Sequence, residues 1–297
     1  MNWASGIEDF KHYLKLERSL SDNTILAYSR DLEKVKFWAE ENDHHPLKMS
    51  YPLFSELLVY LHERGLSPRS RARLISSLKA FYKYLILEDY LDSDPTELLE
   101  SPKMGRKLPD VLSREEIDLI IQSIDLSKEG GERNRSMLET LYGCGLRVSE
   151  LINLKLSDLF LNDGLIRVIG KGNKERIVPI NMQAIHFINI YKNEIRVFQK
   201  IKKGNDDILY LNRRGSKLTR EMIFMIIKDL TVKTGIKKKV SPHTFRHSFA
   251  SHLVNNGADI RIVQELLGHA SILTTEIYTH LDKGKLREAI EKFHPRS

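Results

Sequence analysis

The chain has little cysteine: one residue, Cys144, in 297. That excludes an intramolecular disulfide and any multi-cysteine metal site, fits a reducing compartment, and leaves Cys144 to pack as a small apolar side chain. No apolar run approaches the length that spans a bilayer, and the opening MNWASGIEDFKHYLKLE has no basic stretch followed by an apolar one, so a cytoplasmic protein is expected. Also lacking are an internal repeat, a low-complexity tract and an aspartate cluster of the kind magnesium nucleases use. What is present is a soluble globular composition, 41% hydrophobic and 29% charged, at a length that favours two domains over one.

The net charge of +7 is unevenly spread. Residues 1–103 hold 14 Lys and Arg against 17 Asp and Glu, whereas residues 104–297 hold 33 against 23. A basic excess of that kind favours a polyanionic partner and by itself says nothing about an activity.

The first hundred residues read as four helices. Ser5 and Glu8 form a capping-box pattern before Ile7, Phe10 and Leu14; Ser21 precedes Ile25, Tyr28, Leu32 and Val35 at the same period. Leu53, Leu57 and Leu61 mark a third helix ended by Gly65. Ser67 and Pro68 start a fourth, with Leu74, Leu78, Phe81 and Leu85 on one face. Between Gly65 and Leu87 there is no acidic residue, while Arg69, Arg71, Arg73, Lys79 and Lys83 are all present. In a domain that is acidic overall, this segregation reads either as a helix laid against phosphates or as a solvated basic face.

The stretch SPKMGRKLP, residues 101–109, is proline-bounded, basic and poor in apolar residues, and is assigned as an interdomain linker. Ser113 and Glu116 then open a new helix, and helices are expected to about Asp158. Two β-branched runs, 164–170 and 175–180, joined by the tight KGNK turn, predict an antiparallel hairpin, after which helices resume from Ile185.

The densest chemistry lies in SPHTFRHSFASH, residues 241–252. Ser241 can cap a helix with Pro242 at its first position, which puts His243 in the first turn beside unpaired N–H groups, with Arg246 on the same face three residues on. That is an anion site. His243 and His247, four apart, have a metal-binding spacing, but Thr-Phe-Arg lies between them and a fixed arginine charge beside the pair would repel a dication. Arg147 follows two glycines in YGCGLRVSEL, Lys171 sits at the tip of the predicted hairpin, and His269 follows Gly268 in LLGHAS. Tyr278 lies in TTEIYTH. Each of these alone has an ordinary structural explanation.

In that order, Arg147, Lys171, His243, Arg246, His269 and Tyr278, with YGCGLRVSEL, VIGKGNKERIVP, SPHTFRHSFASHL, ELLGHASILTTEIYTH and HPRS, resemble the tyrosine recombinases of the phage integrase family. Within them the set is similar to the Xer site-specific recombinases, along essentially the whole chain. TTEIYTH and SPK…LP are closer to the XerD branch than to the XerC branch.

The resemblance implies a mainly α fold. A four-helix, SAM-like, DNA-binding domain over 1–100 is followed by the linker and by a mostly helical catalytic domain over 110–297 with a small antiparallel β-sheet. Together they would form a C-shaped DNA clamp, whose last segment, KGKLREAIEKFHPRS, is a helix exchanged between protomers. Arg69, Arg71, Arg73, Lys79 and Lys83 would then approach the duplex. Tyr278 is implied to be the nucleophile that forms a 3′-phosphotyrosyl link. Arg147 and Arg246 would clamp the scissile phosphate and His269 would donate a further hydrogen bond to it. Lys171 would protonate the departing 5′-oxygen, and His243 would serve as general base or proton shuttle.

Neither a metal nor ATP nor any other cofactor is expected. The implied partners are duplex DNA at a dif-like site, a XerC-like second recombinase in a heterotetramer, and the DNA translocase FtsK, in the resolution of chromosome or plasmid dimers. Rival readings are a mobile-element integrase or type IB topoisomerase with the same chemistry, and a DNA-binding protein without catalysis.

Overall fold

The computed structural model describes residues 1–102, 110–170, 174–268 and 283–296, apart from the side chains of 283 and 284. Lys171, His269 and Tyr278, and residues 103–109 of the expected linker, lie outside the described residues. The chain divides into two compact units, Met1–Lys107 and Leu108–Ser297.

The first unit is built from α1 (Trp3–Leu16), α2 (Asp22–Glu41), α3 (Tyr51–Glu63) and α4 (Pro68–Leu87). The first helix begins before the Ser5 pattern suggests. The Asn2 side chain accepts the Ser5 N–H at 2.8 Å and Ser5 Oγ accepts the Asn2 N–H at 3.1 Å, so Asn2 is the cap. Glu8 instead pairs with Lys11 one turn on, at 2.7 Å. Phe10, Leu32, Trp38, Phe54, Leu78 and Phe81 fill the core between the helices. Ser67 Oγ caps α4 through the Ser70 N–H, with Pro68 at the first position, where no donor is lost.

The second unit holds α5 (Arg114–Gln122), α6 (Gly131–Gly143), α7 (Val148–Ile152), α8 (Met182–Ile190), α9 (Arg220–Lys233), α10 (Pro242–Asn255), α11 (Ile260–Leu267) and α12 (Lys283–Phe293). Its three-stranded antiparallel sheet runs β1 (Leu159–Phe160), β2 (Leu165–Ile169), β3 (Glu175–Pro179). The register pairs Ile169 with Glu175 and Val168 with Arg176, and beyond it the Gly170 N–H donates to the Lys174 carbonyl at 2.8 Å. Met137, Leu141, Tyr142, Ile166, Phe245 and Phe249 are among the side chains that close the core around α6 and α10. Cys144 is fully buried there, and burial pushes its thiol well above the ordinary range.

Helix α12 packs on β3, α10 and α11 of its own chain, with Leu286 and Ile290 in the core and Ala289 buried. Beyond it, Arg296 pairs with Glu139 and Asp118, and Asn256 Nδ2 donates to the Phe293 carbonyl at 2.7 Å.

Candidate active site

The glycine pair of YGCGLR sets the first arginine. Helix α6 stops at Gly143, and Gly145 takes φ +57°, a left-handed conformation that lets the chain reverse before α7. A Cβ on Gly145 would lie 2.4 Å from Phe249 Cδ1, so α10 also requires the small residue there. The turn leaves Arg147 as N-cap of α7, and Glu150 three residues later reaches back to accept its main-chain N–H at 2.8 Å.

The second arginine comes from α10. Ser241 Oγ accepts the Thr244 N–H at 3.4 Å, Pro242 occupies the first helical position, and Phe245 and Phe249 anchor the helix in the core. His243 is exposed, while the Arg246 guanidinium is turned inward. His243, Arg246 and His247 line a cleft of about 420 Å³ together with Asp110, Lys239 and Leu267, among others.

Behind this cleft three guanidinium groups converge on one carboxylate. Glu150, 1% exposed at its side chain, receives Arg147 Nη1 at 2.9 Å and Arg176 Nη1 at 2.7 Å on Oε1. Its Oε2 receives Arg176 Nη2 at 3.0 Å, and Arg246 Nη1 lies 3.8 Å away. The same three arginines donate to consecutive carbonyls at the C-terminal end of α11: Arg176 Nε to Leu266 at 3.4 Å, Arg246 Nη2 to Leu267, and Arg147 Nη2 to Gly268 at 3.2 Å. Those carbonyls have no partner within the helix and carry the negative end of its dipole, so they suit cations. A further bond, Arg246 Nη1 to the Gly145 carbonyl at 2.7 Å, ties α10 to the turn that aims Arg147.

The electrostatics follow from this packing. Burial alone would raise the Glu150 carboxyl, but hydrogen bonds from Arg176 and Arg147 outweigh it and hold the group below the usual carboxylate value. Burial, reinforced by repulsion from Arg147 and opposed by Glu150, pushes the Arg246 guanidinium down to about 10, which leaves it cationic at neutral pH. Three cations and one anion give the cluster a surplus of two positive charges. A guanidinium has five N–H donors, and among the described residues the protein contacts of Arg147 and of Arg246 use two each, leaving donors for an anion in the cleft.

The structure therefore brings Arg147, His243 and Arg246 of the expected set into one region, with Lys171, His269 and Tyr278 outside the described residues. Glu150, Arg176 and Lys239 join them without having been singled out from the sequence. Among the described residues no group of three or more His, Cys, Asp or Glu side chains is arranged to hold a metal ion.

The basic residues of α4 do not share one environment. Arg69, Arg73 and Lys83 are exposed on the same face, whereas Arg71 and Lys79 are half-buried, and Lys79 Nζ donates to the Glu97 carbonyl at 3.2 Å. Arg73 is itself engaged: its Nε and Nη2 donate to the two oxygens of Asp31 at 2.7 and 2.9 Å, and that carboxylate is fully buried.

Comparison with known proteins gives a consistent assignment. The model of the phage integrase family matches residues 110–285, and that of the phage integrase N-terminal SAM-like domain matches residues 7–89. Tyrosine recombinase XerD of Oceanobacillus iheyensis is 44% identical over 294 residues, covering 98% of this chain and 99% of its own. Tyrosine recombinase XerD of Staphylococcus aureus is 46% identical over 294 residues with the same coverage. A crystal structure of the XerH site-specific recombinase bound to palindromic difH substrate, a post-cleavage complex, superposes with a TM-score of 0.72 at 26% identity. That match covers 95% of this chain and 83% of the other.

Proposed function

This chain belongs to the phage integrase family of tyrosine recombinases, and from that premise we propose that it exchanges strands between two duplex DNA sites through a 3′-phosphotyrosyl intermediate and a Holliday junction. The observation that carries the reading is the convergence of Arg147 and Arg246 on buried Glu150 beside the His243 cleft. Two fixed cations with donors to spare, backed by a rigid base, fit the charge that collects on the non-bridging oxygens of a phosphodiester under attack.

In the proposed reaction the Tyr278 Oη–P bond forms as the P–O5′ bond breaks. His243 takes or relays the phenolic proton, Lys171 delivers a proton to the departing 5′-oxygen, and His269 donates to a non-bridging oxygen. The 5′-hydroxyl of the partner strand then attacks the phosphotyrosine and releases Tyr278. The phosphodiester energy is stored in the covalent link, so neither ATP nor a metal ion enters the balance. Arg69 and Lys83 would contact the DNA backbone from the first unit.

The biological setting we propose is resolution of chromosome or plasmid dimers at a dif-type site in the cytoplasm, with a XerC-like second recombinase and FtsK. Passing α12 to a neighbouring protomer in that assembly requires release of its contacts with β3, α10 and α11, and of Arg296 from Glu139 and Asp118. The test is a supercoiled plasmid carrying two directly repeated candidate sites, incubated in EDTA with this protein alone, then with the second recombinase and an FtsK activation domain. Excised circles and Holliday junctions are expected in at least one combination. DNA bound without strand exchange in every combination would overturn the reading.

A further inference from the structure

We propose that Arg176 is a positioning residue of strand cleavage: its guanidinium takes up the charge of Glu150 so that Arg147 and Arg246 stay available to the scissile phosphate. The inference rests on the recombinase reading of this site.

Arg176 meets Glu150 as a fork on a fork, Nη1 on Oε1 at 2.7 Å and Nη2 on Oε2 at 3.0 Å, and it is the sole arginine of the three whose guanidinium bonds to both carboxylate oxygens. Such paired charge-assisted bonds are the strong kind and fix orientation as well as charge. Glu150 is buried, so it must be balanced by cations around it. With Arg176 gone, the balance falls on Arg147 and Arg246, the two groups that face the substrate. At these distances and this burial the carboxylate would compete directly with a phosphate for them.

The placement of Arg176 adds a second consequence. It sits on β3, five residues after Lys171, and its Nε reaches the Leu266 carbonyl at 3.4 Å. A Cβ on Gly268 would lie 3.0 Å from its Cδ and Nε, so its side chain lies directly against the end of α11. One side chain thus connects β3, the carboxylate under Arg147, and the C-terminal end of α11.

The experiment is single-turnover formation of the covalent adduct on nicked duplex by the full-length protein. It compares wild type, Arg176→Gln, Glu150→Gln and the double variant, with DNA affinity and thermal melting measured alongside. Arg176→Gln is expected to bind DNA within about threefold of wild type and to cleave on the order of 10²-fold more slowly. Removing the uncompensated carboxylate should repair this. The double variant is expected to outpace Arg176→Gln and to come within about fivefold of Glu150→Gln, a coupling that a packing role would not produce.

Cleavage by Arg176→Gln at the wild-type rate, or a double variant slower than both singles, would overturn the proposal and leave the recombinase reading intact. No adduct from wild type, alone and with the second recombinase and FtsK activation domain supplied, would overturn both. If Arg176→Gln melts below the assay temperature, Arg176→Lys carries the test: it keeps the charge that balances Glu150 and loses the fork, so adduct formation within about tenfold of wild type at unchanged DNA affinity is expected. A loss on the order of 10²-fold despite the retained charge would contradict the proposal.

Discussion

Glu150 and Arg147 meet twice: the carboxylate accepts the Arg147 main-chain N–H at 2.8 Å and its guanidinium at 2.9 Å. The same four-residue stretch therefore starts α7 and holds one cation of the cluster. Glu150→Gln should destabilise the folded protein by about 3 kcal/mol at neutral pH, because it leaves buried arginines without their counter-charge. The pH dependence has a definite sign. The folded carboxyl titrates below its unfolded value, so its contribution is complete above the unfolded value and is lost as pH falls through the folded one. Urea unfolding of wild type and Glu150→Gln across pH 7 to 3 should show the difference shrinking in acid; a constant difference would contradict the assignment.

Gly145→Ala is expected to cost about 3 kcal/mol in urea unfolding, from a Cβ at φ +57° and its collision with Phe249. Cleavage should fall as well, since the Gly145 carbonyl holds Arg246 at 2.7 Å. A variant as stable as wild type would show that the turn is not under this constraint.

On α4, Arg73 and Arg69 should separate. Arg73→Ala strands the fully buried Asp31 with Lys34 and Ser77 as its remaining partners, and is expected to lower stability by about 1–2 kcal/mol. Arg69→Ala and Lys83→Ala should leave stability within about 0.5 kcal/mol. Each should reduce the salt slope of DNA binding by about one. Binding titrations at several salt concentrations decide this, and unchanged slopes for both would make the face merely solvated.

These residues also show what a sequence can and cannot carry. Helix starts such as Ser113, Ser241 and Ser67–Pro68 were legible because capping acts over three residues. The same local rule misplaced the start of α1, where Asn2 competes with Ser5 for the cap. The two-residue β1 has too little sequence for alternation to register, and it exists because Leu159 and Phe160 pair with Ile166 and Leu165. Glu150 drew no attention in the sequence, and Arg176 fell within the second β-branched run. Their joint role is created by bonds 26 residues apart and by carbonyls 90 residues further on, which no local pattern encodes. Arg73 is the mirror case: a basic helix face does not reveal its ion pair with a buried aspartate 42 residues earlier.

Lys171→Ala should slow cleavage of an ordinary phosphodiester on the order of 10²- to 10³-fold and should regain most of that loss on a bridging 5′-phosphorothiolate, whose leaving group needs no proton. No recovery on the sulfur substrate would remove Lys171 from the general-acid role.

The central claim is metal-free nucleophilic cleavage by Tyr278, and covalent trapping tests it most directly. Wild type and Tyr278→Phe are incubated in EDTA with labelled, nicked duplexes of the candidate site, with the XerC-like recombinase and FtsK activation domain supplied, and quenched with detergent. A detergent-resistant adduct of this chain with wild type that is lost in Tyr278→Phe, at unchanged DNA affinity, is the predicted result. An adduct that persists in Tyr278→Phe, or one that forms with neither protein, would contradict the account.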